Sequence, residues 1–239
     1  MRKIGLIGGM SFESSLVYYK LINEMVRERL GGLHSAEVLL HSVDFQTIVE
    51  MQKSSRWDDA GRHLADVARG LEAAGAACTL ICTNTMHLVA DAVEAATEIP
   101  LINIIDETAA AIRRAGLKRP LLLATRYTME QGFYTSRMAT HDLDVIVPDT
   151  ADRPLVHDII FNELCAGQVL DTSRETLFGV IKRAAARGAD AIILGCTEIC
   201  LILDPQNLPL PGFDSTRIHA EAAVNFALAR SLEPDASRP

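Results

Sequence analysis

Two cysteines stand in matching contexts. Residues 77–87 read Ala-Cys-Thr-Leu-Ile-Cys-Thr-Asn-Thr-Met-His, and residues 190–200 read Asp-Ala-Ile-Ile-Leu-Gly-Cys-Thr-Glu-Ile-Cys. In each, a short apolar run leads into Cys-Thr, at Cys82-Thr83 and Cys196-Thr197. A thiolate is both a nucleophile and a base. Two such groups on opposite faces of one carbon could invert it: one removes a proton as thiolate, and the other returns one as thiol from the far side. Flanking threonines, Asn84 and free backbone N–H groups would stabilise the enolate-like charge that builds on an adjacent carboxylate. No metal or pyridoxal is needed for that chemistry, and no lysine sits at a strand tip to bind the latter.

The elements that must position these cysteines follow from the same stretches. The apolar runs are too short for buried helices and have the length of core strands. Each follows a helix-like segment ending in Gly-Ala, at Gly75-Ala76 and Gly188-Ala189. Cys82 and Cys196 are thus expected at the carboxyl ends of parallel strands, just before helices, which is where open α/β sheets bind ligands. A helix N-terminus there would lower the thiol pKa.

A second echo supports the first. Ile4–Ser11 is an apolar strand running into a Gly-Gly loop and a helix start, and Leu121–Thr128 is the same kind of unit. The shift between these landmarks nearly equals that between the cysteines, which suggests two similar halves. The expected fold is α/β: two pseudo-symmetric open-sheet domains with parallel strands and the active site in the cleft between them. Residues 1–98 plus 210–239 would form the N-terminal domain carrying Cys82, and residues 99–209 the second domain carrying Cys196.

Along the chain, strands are expected at 3–7, 37–43, 77–81, 121–125, 143–147 and 190–194, and residues 101–105 are expected to begin the second half. Helices are expected at 12–30, 57–74, 155–165 and 173–187, with another from Asp106 through Ala115. The first helix would bury Leu16, Tyr19, Ile22, Met25, Val26 and Leu30. Ser11 and Asp106 read as helix caps. The Gly8-Gly9 turn is not Gly-x-Gly-x-x-Gly, so a loop holding a small anion such as a carboxylate is the better reading than a nucleotide site. Asp214-Ser215-Thr216 would start a last helix through about Leu232 that packs on the first half, and 233–239 would be disordered.

Composition limits the alternatives. Of 239 residues, 49% are apolar, which supports a substantial core and excludes general disorder. The net charge of −8 and the lack of a basic run argue against nucleic acid. No apolar run reaches the ~18 residues that suggest a membrane span, and no signal peptide is expected, so the protein reads as cytoplasmic. The five cysteines show neither zinc-type nor Cys-x-x-Cys spacing, so no metal is expected and the thiols read as reduced. Cys78, Cys165 and Cys200 read as packing residues. His87 could orient Cys82 or be a structural partner, Glu198 could orient Cys196 or cap its own helix, and His219 reads as a helix-surface residue.

Taken together, Gly8-Gly9-Met10-Ser11, Cys82-Thr83-Asn84-Thr85-Met86-His87 and Gly195-Cys196-Thr197-Glu198 resemble the aspartate/glutamate racemase superfamily. The similarity extends through Leu33-His34-Ser35, His41-Ser42-Val43-Asp44-Phe45 and Arg126-Tyr127-Thr128-Met129, and is greatest to the cofactor-independent amino-acid racemases of bacteria. The resemblance implies that Cys82 and Cys196 are the acid–base pair. It implies further that Met10, Gln52, Thr83, Asn84, Thr85, Thr125 and Thr197 line the site of an amino-acid substrate, and that the protein is a homodimer without a cofactor. Members specific for acidic amino acids are expected to present basic side chains to the distal carboxylate. Here Ile48 and Cys165 stand where such groups would be sought, with Lys53, Arg56 and Arg126 nearby, so the substrate is aspartate, glutamate or a broader set. The alternatives are a lyase or isomerase of the same fold, of the hydantoin racemase, maleate isomerase or arylmalonate decarboxylase type, and a non-catalytic two-lobed ligand-binding protein.

Overall fold

The computed structural model describes residues 1–229. The expectations of a helix reaching Leu232 and of a disordered tail lie outside the described residues. In chain order the elements are β1 (Ile4–Gly8), α1 (Phe12–Leu30), β2 (Val38–Ser42), α2 (Phe45–Lys53), α3 (Trp57–Ala73), β3 (Cys78–Ile81) and α4 (Ala90–Glu94). Next come α5 (Ile104–Arg114), β4 (Pro120–Leu123), α6 (Arg126–Glu130), α7 (Phe133–Ala139), α8 (Asp152–Asp158) and α9 (Asp171–Ala186). The last are β5 (Ala191–Leu194), β6 (Gly212–Asp214) and α10 (Ser215–Leu228).

The chain forms two compact units. Among the described residues, the first comprises Met1–Cys82, Val89–Ile102 and residues 220–229; the second comprises Thr83–Leu88 and Asn103–His219. The first unit holds a parallel sheet of order β2-β1-β3, with Ile4 opposite both Val38 and Cys78. Beyond β3, Leu101 adds a single parallel bridge to Thr79. The second unit holds a parallel sheet of order β4-β5-β6, and Ile146 adds a parallel bridge to Leu121 beyond β4. Counting the bridges, the orders are β2, β1, β3, Leu101 and Ile146, β4, β5, β6. The two sheets thus share one topology, and the α/β repeat expected from the sequence is present.

Burial explains why these runs are strands. Ile4, Leu6 and Ile7 of β1, Leu121–Leu123 of β4 and Ile192–Leu194 of β5 are fully buried. A strand apolar on both faces belongs in a parallel sheet covered on both sides. Each such side chain contributes roughly 1.5–3 kcal/mol relative to exposure.

Several expectations are corrected. The strand at 143–147 reduces to the bridge at Ile146, and Leu101, at the expected start of the second half, bridges to Thr79 of the first sheet. Ile104 and Ile105 instead open α5, which is capped by Asn103: its side chain accepts from the Ile105 N–H at 3.0 Å. Asp106 is therefore not the cap. Its carboxylate accepts two bonds from Arg137, each 2.7 Å, and lies 2.8 Å from His141 Nε2. The helix at 155–165 starts earlier, as α8, and loosens into a π-type turn at Ile159–Glu163.

The domain boundaries also shift. Ile192–Leu194 pair with Gly212–Asp214, so residues 210–219 belong with the second sheet and not with the N-terminal half. Residues 99–102 stay with the first unit. From Ala220 onward α10 belongs to the first unit, where Ala220, Ala223, Val224 and Ala227 share a core with Ile4, Leu6, Tyr18 and Ile22.

The inward face of α1 differs from the expected one. It buries Ser14, Ser15, Tyr18, Ile22, Met25 and Val26 and leaves Leu16 59%, Tyr19 51% and Leu30 42% exposed. The two serines can face inward because their hydroxyls have local partners. Ser15 Oγ accepts the Gly9 N–H at 2.8 Å and donates to the Ser11 carbonyl at 3.0 Å, and Ser11 caps the helix at Ser14 N. With its N–H taken by Ser15, Gly9 is not a free donor for an anion.

Candidate active site

Cys82 is the first residue past the paired part of β3. Ile81 is paired with Ile7, and the Cys82 N–H continues the ladder to the Ile7 carbonyl at 3.0 Å. The side chain is 1% exposed. Beyond it the chain turns through Thr83 and Asn84 into a 3₁₀ turn, Thr85–Val89, and only then into the short α4. A long helix does not start at this tip. The anticipated lowering of the thiol pKa by a helix dipole is not found: burial pushes the Cys82 thiol far above its ordinary value.

His87 holds this turn by both ring nitrogens. Nδ1 lies 2.9 Å from the Thr83 carbonyl, and Nε2 lies 3.2 Å from the Ile104 amide nitrogen. A carbonyl can only accept and an N–H can only donate. The ring therefore carries its proton on Nδ1 and accepts at Nε2, which is the neutral tautomer. Burial lowers its pKa to about 4. His219, expected on a helix surface, is fully buried and meets the His87 ring edge-on with centroids 5.8 Å apart.

Thr85, Thr125 and Thr128 form a ring of hydroxyls, with oxygens 3.0, 3.1 and 3.2 Å apart. Asn84 is tied to Ser215. Ser215 Oγ donates to the Leu194 carbonyl at 2.9 Å, so towards Asn84 it must accept, and Asn84 Nδ2 is the donor at 3.2 Å. Asn84 Oδ1 is left buried without a protein hydrogen-bond partner. Sequence reasoning read Ser215 only as part of a helix start and Thr128 only as the end of the Leu121–Thr128 unit. Both are buried hydroxyls, and only the tertiary structure gives them partners.

The tip of β5 resembles that of β3 with one residue added. Leu194 is the last residue paired to β4, and the Gly195 N–H donates to the Leu123 carbonyl at 2.8 Å, the rung that Cys82 occupies in the first sheet. Cys196 follows one position later, and a 3₁₀ turn, Glu198–Leu201, follows it. A Cβ on Gly195 would stand 2.9 Å from Leu122 Cδ1 and 3.1 Å from Ala124 Cβ, so a side chain at this rung would crowd the neighbouring strand. Cys196 Sγ donates to Glu198 Oε2 at 2.9 Å, and Thr197 Oγ1 donates to the same oxygen at 2.6 Å. Glu198 is thus a partner of Cys196. Burial, and then the Glu198 carboxylate, push the Cys196 thiol well above its ordinary value.

Of the residues singled out from sequence, Thr83, Asn84, Thr85, Thr125, Cys196 and Thr197 lie in the second unit, and Met10, Gln52 and Cys82 in the first. Met10 is buried just after β1, and Gln52 is half-buried near the end of α2. Among the described residues no cluster of three or more His, Cys, Asp or Glu could hold a metal, and no helix is long and apolar enough to cross a membrane. Cys78 is buried in β3, and Cys165 is exposed.

A family model described as Asp/Glu/Hydantoin racemase matches residues 7–223. The chain belongs to this family. It is an isomerase of the racemase type. A crystal structure from Yersinia pestis, of a protein provisionally called an Asp/Glu racemase, is 49% identical. It superposes with a TM-score of 0.91 over 95% of this chain and 100% of the other. An aspartate racemase homologue from Pyrococcus horikoshii OT3 is 33% identical, with a TM-score of 0.85 over 95% of this chain and 99% of that one. The broad-specificity amino-acid racemase RacX of Bacillus subtilis is 22% identical over 95% of this chain and 98% of its own length.

Proposed function

We propose that the protein is a cofactor-independent amino-acid racemase that inverts Cα with two bases, Cys82 and Cys196. The observation that carries this reading is the repeat: two sheets of one topology each end a central strand in Cys-Thr, within a chain of the racemase family. In the reaction one thiolate takes the Cα proton. The C–H bond breaks, an S–H bond forms, and the electron pair moves into the carboxylate as an enediolate. The opposite thiol then gives its proton to the other face of Cα, leaving a thiolate there. Burial opposes the ionisation of both thiols. A substrate ammonium beside them would favour the thiolate.

Met10, Gln52, Thr83, Asn84, Thr85, Thr125 and Thr197 would contact the substrate in this reading. The buried, unpartnered Oδ1 of Asn84 is an acceptor that an ammonium could satisfy. An amino-acid range wider than aspartate and glutamate is supported by the basic candidates themselves. Arg56 is engaged with Ser54 and Asp59, and the Arg126 guanidinium lies over the Tyr127 ring, 5.6 Å from its centroid. We further propose a homodimer, supported by Phe12, Leu16 and Tyr19 exposed on α1. Light scattering at micromolar concentration should give twice the chain mass, and a monomer would remove that part of the reading.

The function is tested in deuterated water with a panel of L- and D-amino acids, after dialysis against chelator and hydroxylamine. The expected result is inversion accompanied by one solvent deuteron at Cα. Strict dependence on pyridoxal phosphate would overturn the mechanism, and binding without exchange would favour a ligand-binding role.

A further inference from the structure

Glu198 has no part in the two-thiol scheme, yet its carboxylate lies against one of the two thiols. Oε2 accepts from Cys196 Sγ at 2.9 Å and from Thr197 Oγ1 at 2.6 Å. We propose that Glu198 is a positioning residue that holds the proton on Cys196, so that Cys196 is the acid of the resting enzyme and Cys82 the group that must ionise first. The direction of the hydrogen bond fixes which form of the thiol it favours. A carboxylate can only accept, so the contact requires the S–H form of Cys196. A bond made only by the neutral form disfavours the charged one, and a carboxylate beside a nascent thiolate adds like-charge repulsion. The two effects act in the same direction.

Among the described residues no comparable carboxylate acts on Cys82, whose thiol is disfavoured from ionising by burial. The two tips therefore carry matching nucleophiles with unequal preferences. The other groups acting on Cys196 do not reverse this. Cys165, on the 3₁₀ turn at Leu164–Ala166, opposes its ionisation further, and the Glu198 backbone N–H favours the thiolate by less than the Glu198 carboxylate disfavours it. Cys200, two residues past Glu198, is paired with Asp214 of β6. The Thr197 hydroxyl has the opposite sense to Glu198. By donating to Oε2 it withdraws charge from the oxygen that accepts from the thiol, and so moderates the hold on Cys196.

In the first half-reaction the Cys82 thiolate takes the Cα proton and Cys196 delivers its own, which leaves Cys196 as thiolate beside Glu198. That thiolate is destabilised by the carboxylate and regains a proton from solvent, while Cys82 loses its proton to solvent. The proton count of the enzyme is restored with no further reactant.

This inference rests on the racemase reading for its catalytic meaning, but its central coupling can be measured without turnover. Alkylation of Cys196 by iodoacetamide is followed by peptide mass spectrometry across a pH series, with the exposed Cys165 as reference thiol. Glu198→Gln should move the Cys196 midpoint down by about one pH unit or more, since the charge and the obligate acceptor are both gone. Thr197→Val, nearly isosteric, should move it up. The Cys165 midpoint should shift far less than that of Cys196 in both variants. An unchanged or raised midpoint in Glu198→Gln overturns the proposal. Should that variant not fold, an unchanged or lowered midpoint in Thr197→Val does so.

A second arm reads catalysis. The alkaline limb of kcat/KM, which reports the thiol that acts as acid, should shift down in Glu198→Gln by the same amount as the alkylation midpoint. A purely structural Glu198 would lower kcat/KM without moving that limb. If the wild-type protein exchanges no Cα proton while the alkylation shifts are as expected, the racemase reading fails and the Cys196–Glu198 coupling stands.

Discussion

At the scale of single residues, the clearest constraint is on His87. Its two nitrogens face a carbonyl and a backbone N–H, so protonation of Nε2 would set two donors against each other at 3.2 Å. Burial adds to this and lowers the pKa from 6.5 to about 4. The sign for stability follows directly. Below the unfolded pKa the unfolded chain binds a proton that the folded one refuses, so stability falls as pH drops from about 6.5 towards 4 and is level above that window. A shift of this size amounts to roughly 3 kcal/mol once both pKa values have been passed. His87→Asn can still donate to the Thr83 carbonyl but carries no titrating ring. It should be less stable than wild type at pH 7.5, and the difference should narrow steadily towards pH 4.5 in urea unfolding. A difference independent of pH would show that the His87 ring has the same pKa in the folded and the unfolded chain, and a difference that widened towards pH 4.5 would show a ring protonated in the fold. The assignment of His87 to a structural role, held open in the sequence beside one of orienting Cys82, is favoured because both ring nitrogens are engaged by the backbone at Thr83 and Ile104.

At the scale of elements, the strand tips are set by backbone approach. Gly9 has φ +88°, and a Cβ there would stand 2.2 Å from the Val43 carbonyl oxygen. Gly195 would crowd Leu122 Cδ1, a side-chain end that can move. Gly9→Ala should therefore destabilise by more than the ~1–3 kcal/mol typical of overpacking, and Gly195→Ala by about that amount or less. Thermal melts of the two variants check the order, and a reversed order would mean that the β5 tip is the stiffer one. These tips were legible in sequence because a short apolar run bounded by Gly and Thr has few other readings. The single-residue offset between Cys82 and Cys196 was not, since it depends on which residue takes the last ladder bond. The face of α1 was misjudged because apolar spacing cannot foresee that Ser14 and Ser15 find partners inside. The strand expected at 143–147 shrank to a bridge at Ile146 because Pro148, lacking an N–H, follows it.

At the scale of the whole molecule, the repeat is what gives the two cysteines a joint meaning. A lone buried cysteine is most often a small apolar side chain. Two of them, each just past a strand in sheets of one topology, support the proposed reaction with two related steps. Racemisation is such a reaction: its reverse is the same chemistry on the mirror-image substrate. If each thiol serves one face of Cα, each enantiomer is deprotonated by only one cysteine. Serine in its place is a far poorer base, because a hydroxyl ionises well above the ~8.5 of a free thiol. Cys82→Ser and Cys196→Ser should therefore each lose net inversion by about 10²-fold or more, the usual weight of a positioned acid or base. The remaining thiolate can still remove a proton from the enantiomer it faces. With a β-chloro amino acid, that abstraction expels chloride, and the chiral proton need not be replaced. Chloride release should thus survive for one hand in Cys82→Ser and for the other hand in Cys196→Ser. The same hand surviving in both variants, or near-normal inversion in either, would leave one cysteine as a packing residue. The fold would then be carrying out single-base chemistry, and a decarboxylase-like reaction would become the better account of this chain.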